Sequence, residues 1–288
     1  MRILTHMMLG MAMLCMLCVT SVQAAQQKEK VLLDTDMVEM FDDGVALIML
    51  ANAPGIDLLG VPYTGSGYLG SAMAMDKAVT KRMMDSLGIR TAPWVDVHYT
   101  KDDIPRLTWE LMVPCAVKMV NGGSSIGMAL PDTREELKKA LYDLLPYGGH
   151  VVVEKKIKGR EIQIAVLGDT YLPAVEIIPK GEYFDYVCKY QKDGAQEICP
   201  APISDEEWRQ VGEMALKLHQ GLGLSVYSRS DFLLDDEGKA WCLEINTLPG
   251  MTPTSLVPQE AAQVGLSYAD LCEKIVLDSI EARKAEYR

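Results

Sequence analysis

LSVYSRSDFLLDDEGKAWCLEIN, residues 224–246, contains the hairpin that decides the fold. Two runs rich in aromatic and branched apolar residues flank the polar turn 235–238. Such runs on either side of a short loop that contains Gly predict two antiparallel strands. With 235–238 as the loop, we expect Leu234 to pair with Lys239.

One face of this hairpin collects polar side chains. Alternate residues of a strand share a face, so Arg229 and Asp231 point the same way, and so do Glu244 and Asn246. The expected register puts Asp231 opposite Cys242 and makes Glu244 its diagonal neighbour. Three oxygen ligands beside apolar residues are costly unless a cation compensates them, and Mg²⁺ combines few protein oxygens with phosphates and water. The hairpin predicts a magnesium site at Asp231, Glu244 and Asn246; a solvated face of an edge hairpin is the alternative.

Outside the hairpin, apolar periodicity and turn residues divide the chain into further elements. Strands and helices follow one another without strict alternation, which predicts the α+β class. Strands are expected at 30–33, 56–61, 93–98, 114–120, 150–157, 161–167 and 171–178, and helices at 41–50, 75–87, 133–144, 205–220, 257–264 and 267–285. Residues 100–107 are expected to form a polar loop, and 181–199 a long loop that is often functional at this length.

Lys118 lies inside an otherwise apolar predicted strand and directly precedes the glycine-serine loop 121–127. Lys is rarely buried without a partner, so we expect an anion near its ammonium group. Glycines let backbone N–H groups approach phosphate oxygens, and the hydroxyls of Ser124 and Ser125 add donors. The loop lacks the Gly-Lys-Ser/Thr of a Walker motif, and a plain hairpin turn is the alternative. The pattern predicts phosphate binding.

A second polar element follows the apolar run 151–153. Glu154 and Lys155 end this run, and Glu161 follows after a charged turn. A strand end with acceptors and exposed backbone can hold a purine edge and ribose hydroxyls; a solvated strand end is the alternative.

The first 25 residues differ from the rest of the chain. Arg2 precedes an apolar run at 7–19, and Val22 and Ala24 supply aliphatic and small side chains at the positions that a signal peptidase reads, which is typical of a cleaved secretory signal peptide. The apolar run is too short for a membrane span, and no other stretch is apolar enough for one. A buried first helix is the alternative.

Residues 30–61 carry a carboxylate cluster that could bind Ca²⁺ through oxygen ligands. The cluster, Asp34-Thr35-Asp36 followed by Asp42-Asp43, resembles the N-terminal calcium motif of the nucleoside hydrolase family. That family needs further ligands and a His from later in the chain, and no such set follows residue 61. The alternative is a surface helix with carboxylates at its N-cap and first turn.

Residues 62–282 carry, in order and at the right spacing, a series of motifs that resembles the ATP-grasp ligases, and among them the D-alanine–D-alanine ligase family. The motifs are Pro62-Tyr63-Thr64-Gly65-Ser66-Gly67, Met75-Asp76-Lys77, Lys118 with its loop, Glu154-Lys155 with Glu161, Asp185-Tyr186-x-x-Lys189-Tyr190, Arg229-x-Asp231, 244–252 and Ser255-Leu256-Val257-Pro258. The resemblance implies an ATP-grasp fold, in which two α+β subdomains clamp ATP. It also implies ligation of two D-alanines through an acyl phosphate, for peptidoglycan precursor synthesis.

The same resemblance implies a role for each matched residue. The residues that would hold ATP are Lys77, Lys118, Ser124, Ser125, Glu154, Lys155, Ile157, Glu161 and Lys189, the last on a lid loop. The catalytic residues would be Arg229, Ser124, Tyr190 and Gly250, and the carboxylate of the second D-alanine would bind at Ser255 and Leu256. Asp231, Glu244 and Asn246 would bind two Mg²⁺ ions, for which Mn²⁺ can substitute.

The chain departs from the family before residue 62 and at one position after Lys118. The usual glycine-rich N-terminal domain, which helps to hold the first D-alanine, is replaced, and Met119 stands where the family has Pro. The predicted organisation is a signal-like segment (1–25), a hydrolase-like fragment (26–61), a remnant of the ligase N-terminal domain with a linker (62–110), a central ATP-grasp subdomain (111–180) and a catalytic subdomain (181–288) with a lid loop at 181–199. A chain that binds Mg-ATP without ligation is therefore one alternative, and a nucleoside hydrolase is the other.

The formal net charge of −12 bears on the partners of the protein. Phosphate backbones require a basic face, so this charge argues against a nucleic-acid partner. The expected partners are ATP and D-alanine, with no stable membrane span and with a homodimer left open. The chemistry predicts a cytoplasmic location, in conflict with the signal-like segment.

Overall fold

The computed structural model describes residues 29–31, 56–58, 63–122, 127–179 and 195–286. The chain divides into two compact units, Met1–Pro62 and Tyr63–Arg288. In the first unit, strand β1 (Glu29–Val31) pairs in parallel with strand β2 (Ile56–Leu58), and both overlap predicted strands. The signal-like segment, the carboxylate cluster at 34–43 and the predicted helix 41–50 lie outside the described residues.

The second unit combines helices with two antiparallel sheets. Its helices are α1 (Tyr68–Met75), α2 (Lys77–Ser86), α3 (Ile104–Glu110), α4 (Arg134–Leu144), α5 (Asp205–Gly221), α6 (Leu256–Gln263) and α7 (Tyr268–Glu286). Its strands are β3 (Trp94–His98), β4 (Cys115–Met119), β5 (Met128–Ala129), β6 (His150–Lys155), β7 (Arg160–Leu167), β8 (Thr170–Tyr171), β9 (Val175–Pro179), β10 (Ala195–Ile198), β11 (Tyr227–Leu234) and β12 (Ala240–Asn246). No described helix meets the length and hydropathy needed to span a membrane. The α+β class is confirmed.

The smaller sheet has four strands in the order β3-β6-β4-β5. One of its faces packs on α3 and α4 through a core that includes Ile104, Leu107, Leu137 and Leu141. Helix α4 begins at a capping box, in which Thr133 accepts a hydrogen bond from the Glu136 N–H, as its sequence predicts. Helix α2 approaches the opposite face, where its Ala78 packs with Val120 and Val152.

The larger sheet has six strands, in the order β10-β9-β7-β11-β12 with β8 paired to β7. Helices cover both faces of this sheet, because strands β7 and β11 carry apolar side chains on each side. Ile162, Ile164 and Phe232 pack against α2 and α5 on one face. On the other face, Ala165 and Tyr227 pack against α6 and α7.

The boundary between the two sheets lies at residues 156–159, before the end of the predicted subdomain 111–180. Strands β7 and β9, which the predicted subdomain 111–180 contains, lie in the larger sheet beside β10 and β11. The turn 156–159 connects the two sheets and is too short to be recognised as a boundary. Gly159 sits so close to β11 that a Cβ atom would lie 2.5 Å from the Leu234 carbonyl oxygen, so position 159 has no room for a side chain.

Two predicted loops and one predicted strand are wrong in part. Residues 100–107 form a 3₁₀ turn, Lys101–Asp103, and the start of α3, because Thr100 and Asp103 make a capping box and Ile104 and Leu107 are buried. The end of the predicted loop 181–199 is β10, which pairs with β9; residues 181–194 lie outside the description. The predicted strand 171–178 is interrupted between β8 and β9, where the sequence contains Pro173.

The predicted register of the hairpin is also wrong. Leu234 pairs with Ala240, and Asp235 accepts hydrogen bonds from the N–H groups of Glu237 and Lys239, so the loop is one residue longer than expected. A β-bulge then shifts the register between Asp231 and Phe232. As a result Asp231 lies directly opposite Glu244 rather than opposite Cys242. The bulge brings the two carboxylates closer than the regular ladder would.

Candidate active site

A cavity of about 890 Å³ opens between the two sheets. The smaller sheet contributes lysines to its lining, and the larger sheet contributes carboxylates. The predicted site residues on its wall are Lys77, Lys118, Glu154, Lys155, Ile157, Glu161, Asp231 and Glu244. The structure therefore brings together eight of the residues that the sequence proposes for ATP and metal.

Glu154 is buried between two lysines at the floor of the cavity, with 2% of its surface exposed. One carboxylate oxygen contacts the Lys118 ammonium and the other contacts that of Lys81. Lys81 also donates to the Thr91 hydroxyl over 2.5 Å. Burial raises the pKa of Glu154, but the two lysines outweigh it and lower that pKa to about 2. The carboxyl is ionised at neutral pH.

The pKa values of Lys81 and Lys118 shift in opposite directions. Burial lowers the pKa of Lys81, because Glu154 does not fully compensate it. Burial also acts on Lys118, but the charges of Glu154, Glu244 and Glu161 raise its pKa overall. Lys118 is therefore a firmly charged ammonium facing three carboxylates, which suits it to hold an anion in this cavity.

Lys81 was missed by the sequence analysis. It occupies the buried stripe of α2 between Ala78 and Met84, at positions i, i+3 and i+6. A lysine inside an apolar helical stripe is as informative as Lys118 inside an apolar strand, and could have been found by the same argument.

Lys77 lies at the first position of α2, where Asp76 caps the helix by accepting from the Val79 N–H over 2.8 Å. The Lys77 ammonium donates to the Gly122 carbonyl and lies 4.0 Å from a Glu244 oxygen. Lys77 thus links the glycine-serine loop of the smaller sheet to the carboxylates of the larger one.

Arg229, Asp231, Glu244 and Asn246 form the polar face of the β11–β12 hairpin. Arg229 binds both oxygens of Asp231, with Nε 2.9 Å from Oδ1 and Nη2 3.1 Å from Oδ2. The Asn246 amide nitrogen lies 3.4 Å from Asp231 Oδ2. Burial lowers the pKa of Arg229, but Asp231 more than offsets it and raises that pKa. The guanidinium is charged in this site.

Glu260, from α6, is a buried carboxyl that the sequence analysis did not single out. It accepts a hydrogen bond from the Ala165 N–H over 2.6 Å and is fully buried. Burial raises the pKa of Glu260 well above its ordinary value. The Ala165 N–H and the charge of Arg229 oppose this rise.

The loop before α6 holds the residues proposed for the second D-alanine. Ser255 is the N-cap residue of α6, and its hydroxyl accepts from the Thr252 N–H over 3.0 Å rather than from the helix. A Cβ atom on Gly250 would lie 3.0 Å from the Ser255 hydroxyl, so the loop is tight at this glycine. Leu256 is buried. With Arg229 and Asn246, these three residues lie beyond the lining of the cavity.

Four predicted site residues have no described position. Ser124 and Ser125 belong to the glycine-serine loop, and Lys189 and Tyr190 belong to the predicted lid. All four lie outside the described residues.

Two antiparallel lobes that meet at a cavity, with lysines from one and carboxylates from the other, define the ATP-grasp class. The comparisons with known proteins agree with this assignment. The sequence profile described as "D-ala D-ala ligase C-terminus" matches residues 83–277. A D-alanine–D-alanine ligase of Desulfovibrio desulfuricans is 41% identical over 242 residues, covering 80% of this chain and 78% of that protein. The corresponding ligase of Halalkalibacterium halodurans is 38% identical and covers 87% of this chain and 84% of its own length.

Solved structures show the same relationship. The D-alanine–D-alanine ligase of Bacillus anthracis complexed with ATP superposes with a TM-score of 0.66 at 31% identity, over 79% of this chain and 73% of that one. The ligase of Coxiella burnetii gives a TM-score of 0.68 at 27% identity, over 79% and 62% of the two chains. The chain belongs to the D-alanine–D-alanine ligase family.

Proposed function

We propose that this protein joins two D-alanines to D-alanyl-D-alanine with ATP, for peptidoglycan precursor synthesis and so for cell-wall biogenesis and cell shape. The observation that carries the proposal is the cavity in which Lys77 and Lys118 face Asp231 and Glu244 across the two sheets. Family membership at about 40% identity specifies the substrates that this arrangement serves.

ATP is proposed to lie in the cavity with its phosphates between the sheets. Lys77 and Lys118 supply positive charge to the phosphates, aided by Ser124 and Ser125, and Lys155, Ile157 and Glu161 hold adenine and ribose. Glu154 also lines the cavity and is proposed to hold the nucleotide with them. Its side chain lies between Lys81 and Lys118, so it is proposed to position the Lys118 ammonium as well.

The residues of the hairpin fit Mg²⁺ or Mn²⁺. Asp231 and Glu244 are cross-strand neighbours, and Asn246 would supply a third oxygen ligand if its amide flipped, because its nitrogen is the atom that faces Asp231. Carboxylate and amide oxygens are the donors that Mg²⁺ prefers. Two bound ions would neutralise phosphate charge and align the γ-phosphate for transfer.

The proposed reaction has two steps. A carboxylate oxygen of the first D-alanine attacks the γ-phosphorus, the bond to the β-phosphate bridging oxygen breaks, and ADP leaves an acyl phosphate. The amine of the second D-alanine then attacks the acyl carbon, loses a proton and expels inorganic phosphate. Arg229 and the Gly250 N–H are proposed to stabilise the developing oxyanion.

The remaining residues are proposed to position the second substrate and to exclude water. Ser255 and the backbone of Leu256, at the N-terminus of α6, hold the carboxylate of the second D-alanine. Lys189 and Tyr190 close over the site on a lid, with Ser124, which protects the acyl phosphate from hydrolysis. We place the reaction in the cytoplasm, where ATP is available, and the homodimer remains a proposal.

Phosphate release that depends on D-alanine tests this function. The purified full chain with Mg-ATP is expected to release phosphate on addition of D-alanine, and Glu244→Ala is expected to release essentially none. A matched control is Glu237→Ala in the exposed β11–β12 turn, which should behave as the wild type. Binding of Mg-ATP without D-alanine-dependent phosphate would identify a nucleotide-binding protein that does not ligate.

A further inference from the structure

Asp96, His98 and His150 form a second cluster of potential metal ligands, at the end of the smaller sheet. His98 on β3 pairs directly with His150 on β6, and Asp96 is two residues before His98, so all three side chains share one face. His150 Nε2 lies 2.7 Å from Asp96 Oδ1. The two imidazole rings stack with centroids 3.6 Å apart and an angle of 19° between their planes. One ligand atom from each residue lies within 4.8 Å of the others.

Two imidazoles and one carboxylate are a donor set typical of Zn²⁺ sites with three protein ligands and one open position. Metal–ligand distances of about 2.0–2.2 Å in a tetrahedron place ligand atoms roughly 3.4 Å apart. The three ligand atoms lie within 4.8 Å of one another, and the 2.7 Å separation of His150 Nε2 and Asp96 Oδ1 is a hydrogen bond. Binding of an ion would require side-chain rotations that separate this pair and unstack the two imidazole rings. Mg²⁺ prefers oxygen ligands, so this cluster discriminates in favour of transition metals.

The carboxylate of Asp96 is already held in an orientation that suits a ligand. Arg82 of α2 bonds to Oδ2, the oxygen that does not face His150, and its guanidinium lies 6.0 Å from the Trp94 ring centroid. Carboxylates that ligate metals are usually fixed by an outer partner of this kind. The positive charge of Arg82 also lowers the affinity of this site for a cation.

We propose that Asp96, His98 and His150 bind one Zn²⁺ ion, at a site separate from the ATP cavity. On β6, Glu154 of the cavity and His150 of the cluster are four residues apart, about 13 Å along an extended strand. The ion would join β3 to β6 and, through Arg82, fix α2 on the same sheet face. Because α2 carries Lys77 and Lys81, the metal would stabilise the helix that places Lys77 at the cavity and Lys81 beside Glu154.

Titration of the metal-free full chain with Zn²⁺ tests the site. Excess Mg²⁺ in the buffer occupies the oxygen ligands of the hairpin, and calorimetry is expected to show one Zn²⁺ equivalent in the wild type. His98→Ala and His150→Gln are each expected to weaken this binding at least about tenfold, since even outer-shell changes cost that much. Asp143→Asn, an exposed carboxylate on α4, is the matched control and should bind as the wild type does.

Two further readouts separate a lost ligand from a lost fold. Zn²⁺ is expected to raise the thermal unfolding midpoint of the wild type and of Asp143→Asn, but of neither histidine variant. Co²⁺ in place of Zn²⁺ should give ligand-field absorption without the sulfur charge-transfer band that the free cysteines would produce. Zn²⁺ binding that is unchanged in both histidine variants, or absent from the wild type, would overturn the proposal.

Discussion

Asp231→Asn is expected to lower the rate of D-alanine-dependent ATP turnover by about 10³-fold or more. The substitution removes one negative oxygen ligand from the proposed metal site, and metal stabilisation of transition-state charge is worth several kcal/mol, at about 1.4 kcal/mol per factor of ten. It also leaves Arg229 without the carboxylate that binds it through two hydrogen bonds. Steady-state kinetics over a range of Mg²⁺ concentrations measure the effect.

The same hairpin provides the control. Asp236 lies in the exposed turn, so Asp236→Asn makes the identical chemical change a few residues away from the site. Its turnover should equal that of the wild type. If Asp231→Asn retained wild-type turnover at limiting Mg²⁺, Asp231 would not be a metal ligand in this protein.

Glu154→Ala is expected to lower the free energy of unfolding by about 3–5 kcal/mol. Removing one member of a buried ionic group leaves its partners charged and uncompensated, and here two lysines lose the same carboxylate. Asp143→Ala, which breaks an exposed pair with Lys139, should change stability by less than about 1 kcal/mol. Urea unfolding of both variants at pH 7 gives the comparison.

The contribution of Glu154 should also depend on pH in a defined direction. Its folded-state pKa, about 2, lies below its ordinary value of 4.5, so its stabilisation is full above pH 4.5 and decreases as pH falls toward 2. The difference in stability between wild type and Glu154→Gln should narrow over this interval. A difference that stays constant from pH 7 to pH 3 would show that the carboxylate is not held between charged lysines.

Much of the fold follows from local sequence signals. The helix α4 was predicted from its capping box, and the β11–β12 hairpin from two apolar runs around a polar turn. Both patterns are local, because the residues that determine them lie within a few positions of one another. The ATP-grasp assignment rested on the spacing of many motifs rather than on any single element.

The errors arose where the deciding contact is distant or where one residue shifts a register. The bulge that places Asp231 opposite Glu244 adds one residue to β12, and no local sequence pattern predicts it. Glu154 was predicted to hold the nucleotide because it ends an apolar run, and that stays a prediction; its contact with Lys81 could not be predicted. Lys81 comes from α2, 73 positions earlier in the chain, and only tertiary packing brings the two together.

The most direct test of the proposed ligase chemistry follows one oxygen atom. D-alanine labelled with ¹⁸O in its carboxylate is incubated with the full chain and Mg-ATP, and the released phosphate is analysed by mass spectrometry. Attack by the carboxylate on the γ-phosphorus predicts one ¹⁸O in each phosphate released, together with an equal amount of D-alanyl-D-alanine. Phosphate without ¹⁸O would mean that water, and not D-alanine, attacks ATP in this cavity, and would contradict the account.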